Sequence, residues 1–580
     1  MKKALATRFW GENRLIKIKM EENEMKKRVI SMMLATAMVL SVCACGNEGD
    51  QKVTTSETET QVATSETTSV PVEDEGITFP LKEEVTFDFM IKSDNDVAAM
   101  LEKSAWWQEL YEATNVKINW ITVPTQNTMT SVNAMFSSGQ EGDAIYGPLL
   151  SDTDLLTLAD NNLVIALDEY VDDAELMPNL NERVFAESPG TRGLITCSDG
   201  HVYGLPKYYA LEGNYVENPI WINKAWVEKA GWKVEDIKTI DDLEKVLTYF
   251  AENDMNGNGD TKDEIPYIIW SNHGYAHVES FLGLYGIATK SGNYDSFVYV
   301  EDGEVKFAPT AEGYKDAIKK LKDWYDKDLI WSEAFVATKD TFNAKLAAEL
   351  PLVGMITAKT APTTNADDYV RIEPVSVDGY EASWYLHPGL LGTKGRFSVT
   401  KSCENVDILM KWIDMFYDFD ATVNNMYGDE AAARYDIVDG KVVARTIAAA
   451  EKEELIKTLP IVNDLTNQYP SAITAADFES RISMSAADKI NQESYDMYEE
   501  YFTDEIWPRP YIAVDDSTRI AELRTDIFNT VGEKKAAWVT GVSDIDAEWD
   551  AYVKSLEKMG LDEFIEIYQR SYDAFNEAQK

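Results

Sequence analysis

The chain has few cysteines, little positive charge and no long apolar runs. It has four cysteines. Cys43 and Cys45 sit together near the N-terminus, which leaves Cys197 and Cys403, and two distant cysteines do not define a disulfide framework. Buried free thiols are the expectation for both. The 54 Lys and Arg are outnumbered by 101 Asp and Glu, for a net charge of −47. Such a surface repels nucleic acid and anionic lipid, so a neutral or cationic small molecule is the easier partner. The main apolar run, residues 29–42, holds about 14 residues, short of the roughly 18 to 20 that a spanning helix needs. No later run approaches that length, which excludes a permease or other multi-span protein. Catalytic signatures are absent too: there is no GxSxG, GxxxxGK[ST], dinucleotide-binding glycine loop or HExxH. His273 and His277 stand four apart, but Gly274 weakens a helix there, so a cleft loop or surface turn is expected rather than a zinc pair. A glycosidase needs only two carboxylates at a suitable separation. A surface-anchored glycoside hydrolase therefore stands as the alternative class.

The N-terminal segment fixes location. Lys26, Lys27 and Arg28 precede the apolar run, and Val42-Cys43-Ala44-Cys45-Gly46 follows it. Basic segment, short apolar segment and small-residue cut site form an export signal. Its end resembles the lipobox of bacterial lipoprotein signal peptides, with Cys45 as the new, lipidated N-terminus. Residues 1–24 then read as an upstream extension, 25–44 as the signal peptide, and the mature chain as tethered to the outer face of the cell membrane. The first 44 residues hold nine Lys/Arg and four Asp/Glu, so a chain starting at Cys45 carries −52. Residues 45–78 are rich in Ser, Thr and Glu and cannot bury enough apolar surface to offset the entropy of ordering. They read as a disordered acidic tether.

The remaining body of about 500 residues exceeds one hydrophobic core, so two or more lobes are expected. The segment VTFDFMI at 85–91 alternates as a strand does, a helix carrying Trp106, Leu110 and Tyr111 follows, and VKINWITV at 116–123 is a second strand. A short strand is expected around Asp143 to Tyr146, a helix over 240–252 capped by Thr239, a strand at 265–270 and a helix over 313–326. The end of the chain reads as helices at 547–558 and 562–574, separated by Gly560. Strands alternating with helices predict α/β units and a mostly parallel sheet. Trp106, Trp107 and Trp412 fall in helical patterns and are assigned to the core.

Several blocks, in order, resemble the family 1 extracellular solute-binding proteins, the substrate receptors of ABC importers. They are DGHVYGLP at 199–206, with His201 where the family usually has lysine, and WINKAWVEKAG at 221–231. Two more are GYK through WYDKDLI over 313–330 and the tail from Trp549 to Gln569. The resemblance implies an α/β, two-lobed, periplasmic-binding-protein-like clamp of type II with a helical C-terminal part. The N-lobe would hold 79–210 and about 385–430, and the C-lobe about 211–384 and 431–580. The chain would cross between lobes near 208–216 and 385–397. A monomer would capture a carbohydrate, such as an oligosaccharide, by closure of the lobes and pass it unaltered to the permease.

Two sets of residues carry the binding chemistry. Asp254, Asn256 and Asn258 with Gly259 and Asp260 follow the first half of an EF-hand loop, whose oxygens at alternate positions wrap one Ca2+. Position 12 is Ile265 rather than Glu, and Asp263 and Glu264 stand just before it as closing ligands. A solvated Asn-Gly turn is the alternative. For sugar stacking, the candidates in loops or strand ends are Tyr146, Tyr208, Tyr209, Trp270, Trp384, Tyr385 and Trp507, because sugar rings lay their apolar faces on aromatic rings. Arg434 and Arg509 could hold hydroxyls or a carboxylate in bidentate fashion. About a third of this list is expected to line the cleft.

Overall fold

In the computed structural model, residues 76–579 are described, apart from 95–98, 100, 102–103, 148, 272–275, 291–296, 363, 388, 390–392, 429–433 and 446–468. The leader, the lipobox with Cys45, most of the tether and His273 lie outside the described residues. No helix of the described residues is long and apolar enough to cross a membrane.

The described strands are β1 (Val85–Lys92), β2 (Val116–Val123), β3 (Ala144–Tyr146), β4 (Lys207–Tyr209), β5 (Ile220–Asn223), β6 (Ile265–Ile268), β7 (Val298–Glu301), β8 (Glu304–Phe307), β9 (Val353–Thr357), β10 (Tyr369–Ile372), β11 (Phe397–Val399), β12 (Tyr435–Val438), β13 (Lys441–Ala444) and β14 (Ser471–Ile473). Two four-stranded sheets organise them, in the orders β11-β3-β1-β2 and β10-β5-β9-β6. The period of two in β1 puts Phe87, Phe89 and Ile91 on one buried face. Its parallel register with β2 runs from Val85 opposite Val116 to Lys92 opposite Val123. Between them, α1 (Ala105–Thr114) starts where Ser104 Oγ accepts the Trp107 N–H and stops at Asn115, whose φ of 57° suits a left-handed cap. Trp412 is buried and Trp106 and Trp107 pack against the same core.

The second sheet is built likewise. The helix α2 (Ile240–Glu252) opens with a reciprocal capping box between Thr239 and Asp242, and buries Leu243, Val246, Leu247 and Phe250. The helix α3 (Glu312–Asp326) buries Tyr314, Ile318, Leu321 and Trp324. These join Ile220, Ile222, Tyr267 and Met355 in one core. Within the two four-stranded sheets, the expected parallel pairing holds for β1–β2, β1–β3 and β6–β9. The pairs β11–β3, β5–β9 and β10–β5 are antiparallel. The reason is connectivity: β5 and β11 are delivered by segments arriving from the other sheet, not by a local helical crossover.

The chain moves between the two sheets more than once. Residues 209–220 lead from β4 to β5, and 372–397 lead back from β10 to β11. The helix α4 (Val406–Asp414) adds Leu409 and Trp412 to the first core. Residues 469–473, expected with the second lobe, pack on the first: Tyr469 and Ala472 belong to its core, and β14 pairs with β4. The chain then returns through α5 (Ala486–Tyr498), whose Tyr498 is in the second core. The 26-residue α6 (Val514–Val539) starts at Val514 against the core beside β3 and ends with Trp538 in the core of the second sheet. The last helices, α7 (Ile545–Lys558) and α8 (Leu561–Ala578), bury Trp549, Tyr552, Phe564 and Ile567 there. Cys197 and Cys403 are unbridged, and burial pushes the Cys403 thiol up to about 11.

Candidate functional site

The binding candidates separate by strand alternation and by burial. Tyr208 and Tyr209 are neighbours on β4, so their rings face opposite ways. The Tyr208 hydroxyl donates to Glu187 Oε1 at 2.9 Å, beside the first core. The Tyr209 hydroxyl donates to Asp488 Oδ2 at 3.0 Å, and Lys207 Nζ lies 5.3 Å from the Tyr209 ring centroid. Tyr209 and Arg434 line one cavity of about 350 Å3, together with Lys207, Tyr427, Arg445 and Asp488. Burial pulls the Arg434 guanidinium below its ordinary value, against the opposing pull of Tyr427. Two phenol rings give this cavity apolar faces, and three cations and a carboxylate give it polar partners. That combination suits a ring with hydroxyls on its edge.

Five other candidates are core residues. Tyr146 stacks on Tyr469 and its hydroxyl donates to Asn425 Oδ1 at 3.0 Å. Trp270 stacks on Phe342 with centroids 5.0 Å apart, and its indole N–H donates to Ala337 O at 3.0 Å. The Trp384 indole donates to Glu217 O at 2.6 Å. The Tyr385 hydroxyl donates to Trp507 O at 3.0 Å, and the Trp507 ring meets that of Tyr568 edge-on. All five are at most 5% exposed. Arg509 has a left-handed φ of 54°, and its carbonyl accepts Lys394 Nζ at 3.0 Å.

The acidic loop after α2 folds on its own backbone. Burial pushes the Asp254 carboxyl up, but the N–H groups of Gly259, Gly257 and Asn258 hold it below its usual value. Those bonds measure 2.9, 2.6 and 3.2 Å. Asn258 Oδ1 accepts the Asp260 N–H, and Asn256 Oδ1 accepts the Asn258 N–H. Asp263 Oδ2 takes the Asn258 side-chain amide at 2.6 Å, and Glu264 Oε1 takes the Met255 N–H at 2.7 Å. The six expected ligands thus share one loop, but among the described residues no three His, Cys, Asp or Glu converge as a metal cluster. The donor set still fits a hard cation. Asp263 Oδ1 and Glu264 Oε2 are buried oxygens with no hydrogen-bond partner, and burial pushes the Glu264 carboxyl up.

Two buried charged groupings carry no local signal in the sequence. Lys535 Nζ, on α6, donates to Glu279 Oε1 at 2.5 Å, and Glu279 Oε2 also meets His277 Nδ1. Burial lowers the Lys535 ammonium to about 7. His277, one of the two histidines read as a loop or turn, is therefore a core residue. Glu217 Oε2 lies 2.7 Å from His387 Nε2, both residues being buried.

Residues 98–421 match the family model described as bacterial extracellular solute-binding protein. The chain belongs to that family. A curated family member, the fructooligosaccharide ABC transporter substrate-binding protein FusA of Streptococcus pneumoniae serotype 4, is 28% identical over 563 residues, spanning 94% of this chain and 98% of FusA. The solved complex of FusA with kestose covers 85% of this chain and 99% of its own, at 26% identity and a TM-score of 0.62. A structure of a FusA EF-hand mutant with fructo-nystose matches with the same identity, coverage and TM-score. A solute-binding protein from Bifidobacterium longum infantis, described as HMO binding and associated with an ABC transporter, shares the fold. Its TM-score is 0.70 at 23% identity, over 85% of this chain and 99% of that one. The solute-binding family accounts for the two sheets joined by several crossings, because capture needs two bodies linked by hinges.

Proposed function

We propose that this chain is the lipid-anchored receptor of an ABC importer and captures a neutral oligosaccharide, with Cys45 carrying the anchor. The observation that carries the reading is the end-to-end similarity to a fructooligosaccharide receptor, 94% of one chain against 98% of the other. Two lobes, built on the two sheets, close on the sugar and release it unaltered to the permease. Tyr209 and Arg434 contact the ligand: the phenol ring stacks on a sugar face and the guanidinium grips ring-edge hydroxyls, with Lys207 and Asp488 orienting both. Asp254, Asn256, Asn258, Asp260, Asp263 and Glu264 hold a structural Ca2+, which joins the end of α2 to β6. The solved EF-hand mutant of FusA and the two orphaned carboxylate oxygens support it. The ion supplies cross-linking charge and no reaction chemistry.

The test is a thermal-shift and calorimetric screen of the full chain in detergent against a glycan panel that includes kestose. Saturable binding with a raised melting temperature and intact glycan is expected. Tyr209→Ala and Arg434→Met should each weaken binding about tenfold. Released sugar at enzymatic rates, or no binding across the panel, would overturn the reading.

A further inference from the structure

The first two crossings between the sheets are bonded to each other. Val216 and Leu386 form an antiparallel bridge. The Glu217 N–H donates to Tyr385 O and the His387 N–H to Tyr215 O, both at 3.0 Å. On one face of this two-stranded ladder, Glu217 Oε2 and His387 Nε2 lie 2.7 Å apart. The remaining Glu217 oxygen accepts Asn218 Nδ2 at 3.0 Å, and the Glu217 carbonyl accepts the Trp384 indole at 2.6 Å. The segment between α5 and α6 is tied in as well: the Trp384 N–H donates to Tyr501 O at 2.8 Å, and the Tyr385 hydroxyl reaches Trp507 O. His387 is 4% exposed and Glu217 7%. Three of the connections between the sheets, 209–220, 372–397 and the segment between α5 and α6, are thus bonded together around one buried acid–base pair, while α5 and α6 run between the sheets without touching it in this bonding.

The surroundings of His387 set its response to protons. The Tyr215 ring packs on it at 4.1 Å between centroids, and the Tyr385 ring meets it edge-on at 5.5 Å. Lys359 Nζ stands 4.2 Å from the Tyr215 ring centroid. Burial, then the charges of Lys290 and Arg509, oppose protonation, and Glu217 favours it; the net direction is downward. Neutral His387 donates one N–H to Glu217. A second proton adds positive charge to a layer already ringed by Lys290, Lys359 and Arg509. By linkage, acid favours any conformer in which His387 gains solvent and leaves these cations.

We propose that the Glu217–His387 pair is a positioning latch for solute capture, holding the crossing strands together while His387 is neutral and loosening them when it is protonated. Its link to capture rests on the lobe-closure reading above; the latch itself rests on the ladder. The first readout needs no ligand: hydrogen exchange of the Glu217 and His387 amides in the full chain, corrected for intrinsic rates. Protection is expected to fall about tenfold between about pH 7.5 and about pH 5, and His387→Gln should make it independent of pH. Should His387→Gln fail to fold, Glu217→Gln serves: it keeps a hydrogen-bond acceptor, removes the charge and moves the midpoint to lower pH. Equal protection at both pH values, or the same pH response in the variants, overturns the latch. The second readout is kestose affinity, expected to weaken about fivefold over the same range in the native chain only. Kestose binding that does not change with pH overturns the latch and leaves the receptor reading standing. Amides that respond while no glycan binds overturn the receptor reading and leave the latch.

Discussion

The ring of Tyr146 lies nearly flat on that of Tyr469, with centroids 4.5 Å apart and planes inclined by 19°. Gly147 also abuts the Tyr469 ring: a Cβ there would sit 2.3 Å from Tyr469 Cε1. A residue expected to face a ligand is instead half of a buried clasp between the end of β3 and the segment before β14. Tyr146→Ala should cost about 3–5 kcal/mol through the cavity it leaves. Tyr146→Phe should cost about 1 kcal/mol by leaving Asn425 Oδ1 without its donor. Urea unfolding checks both, and a Tyr146→Ala chain as stable as the native one would refute the clasp.

Lys535 and Glu279 are each at most 4% exposed and bonded to one another. Removing one member strands the other's charge in the core. Lys535→Met and Glu279→Gln should each cost about 3–5 kcal/mol, and the double variant should cost much less than their sum. A double-mutant cycle by urea denaturation measures this, and additive losses would contradict it.

Glu244 gives a pH dependence of known sign. Burial pushes its carboxyl up, but Lys320 and Lys327 at 2.6 Å each and the Trp324 indole at 2.9 Å hold it at about 2. A folded value below the unfolded one stabilises the fold above the unfolded value, and this is lost as pH falls from about 4.5 toward 2. Glu244→Gln should therefore cost about 1–2 kcal/mol at neutral pH and little near pH 2. Melting temperatures across that range test it, and a gap that stays constant down to pH 2 would count against it.

The acidic loop makes a separate prediction. Chelator should lower the melting temperature of the native chain, and Asp254→Ala should abolish that sensitivity while lowering the melting temperature itself. The second effect follows from the three backbone N–H groups that Asp254 serves. Identical melts of the native chain with and without chelator would rule out a bound ion.

Much of the fold was legible in the chain because its signals are local. The alternation in VTFDFMIK and VKINWITV marks β1 and β2, and Thr239 followed by Asp242 marks the start of α2. The ordered blocks from DGHVYGLP to the tail pointed to the family that the match over residues 98–421 establishes. The site was far less legible. Tyr209 and Arg434 are legible as candidates, but Lys207, Tyr427, Arg445 and Asp488 carry no such signal, and only folding brings them to one cavity. Trp270 and Trp384 fall in loops or strand ends, where nothing nearby in the sequence reveals whether a ring turns to a ligand or to a partner such as Phe342.

The amino-acid order alone determined composition, many element types and the family, since each is read from the residues themselves, from neighbours within about 20 residues or from a pattern of blocks. Tertiary structure alone decided which polar groups meet. Glu217 and His387 are 170 residues apart, and Lys535 and Glu279 are 256 apart. No local pattern encodes such a pairing, because contact between distant residues follows from how the two sheets' connections cross, and burial then sets the charge each group carries.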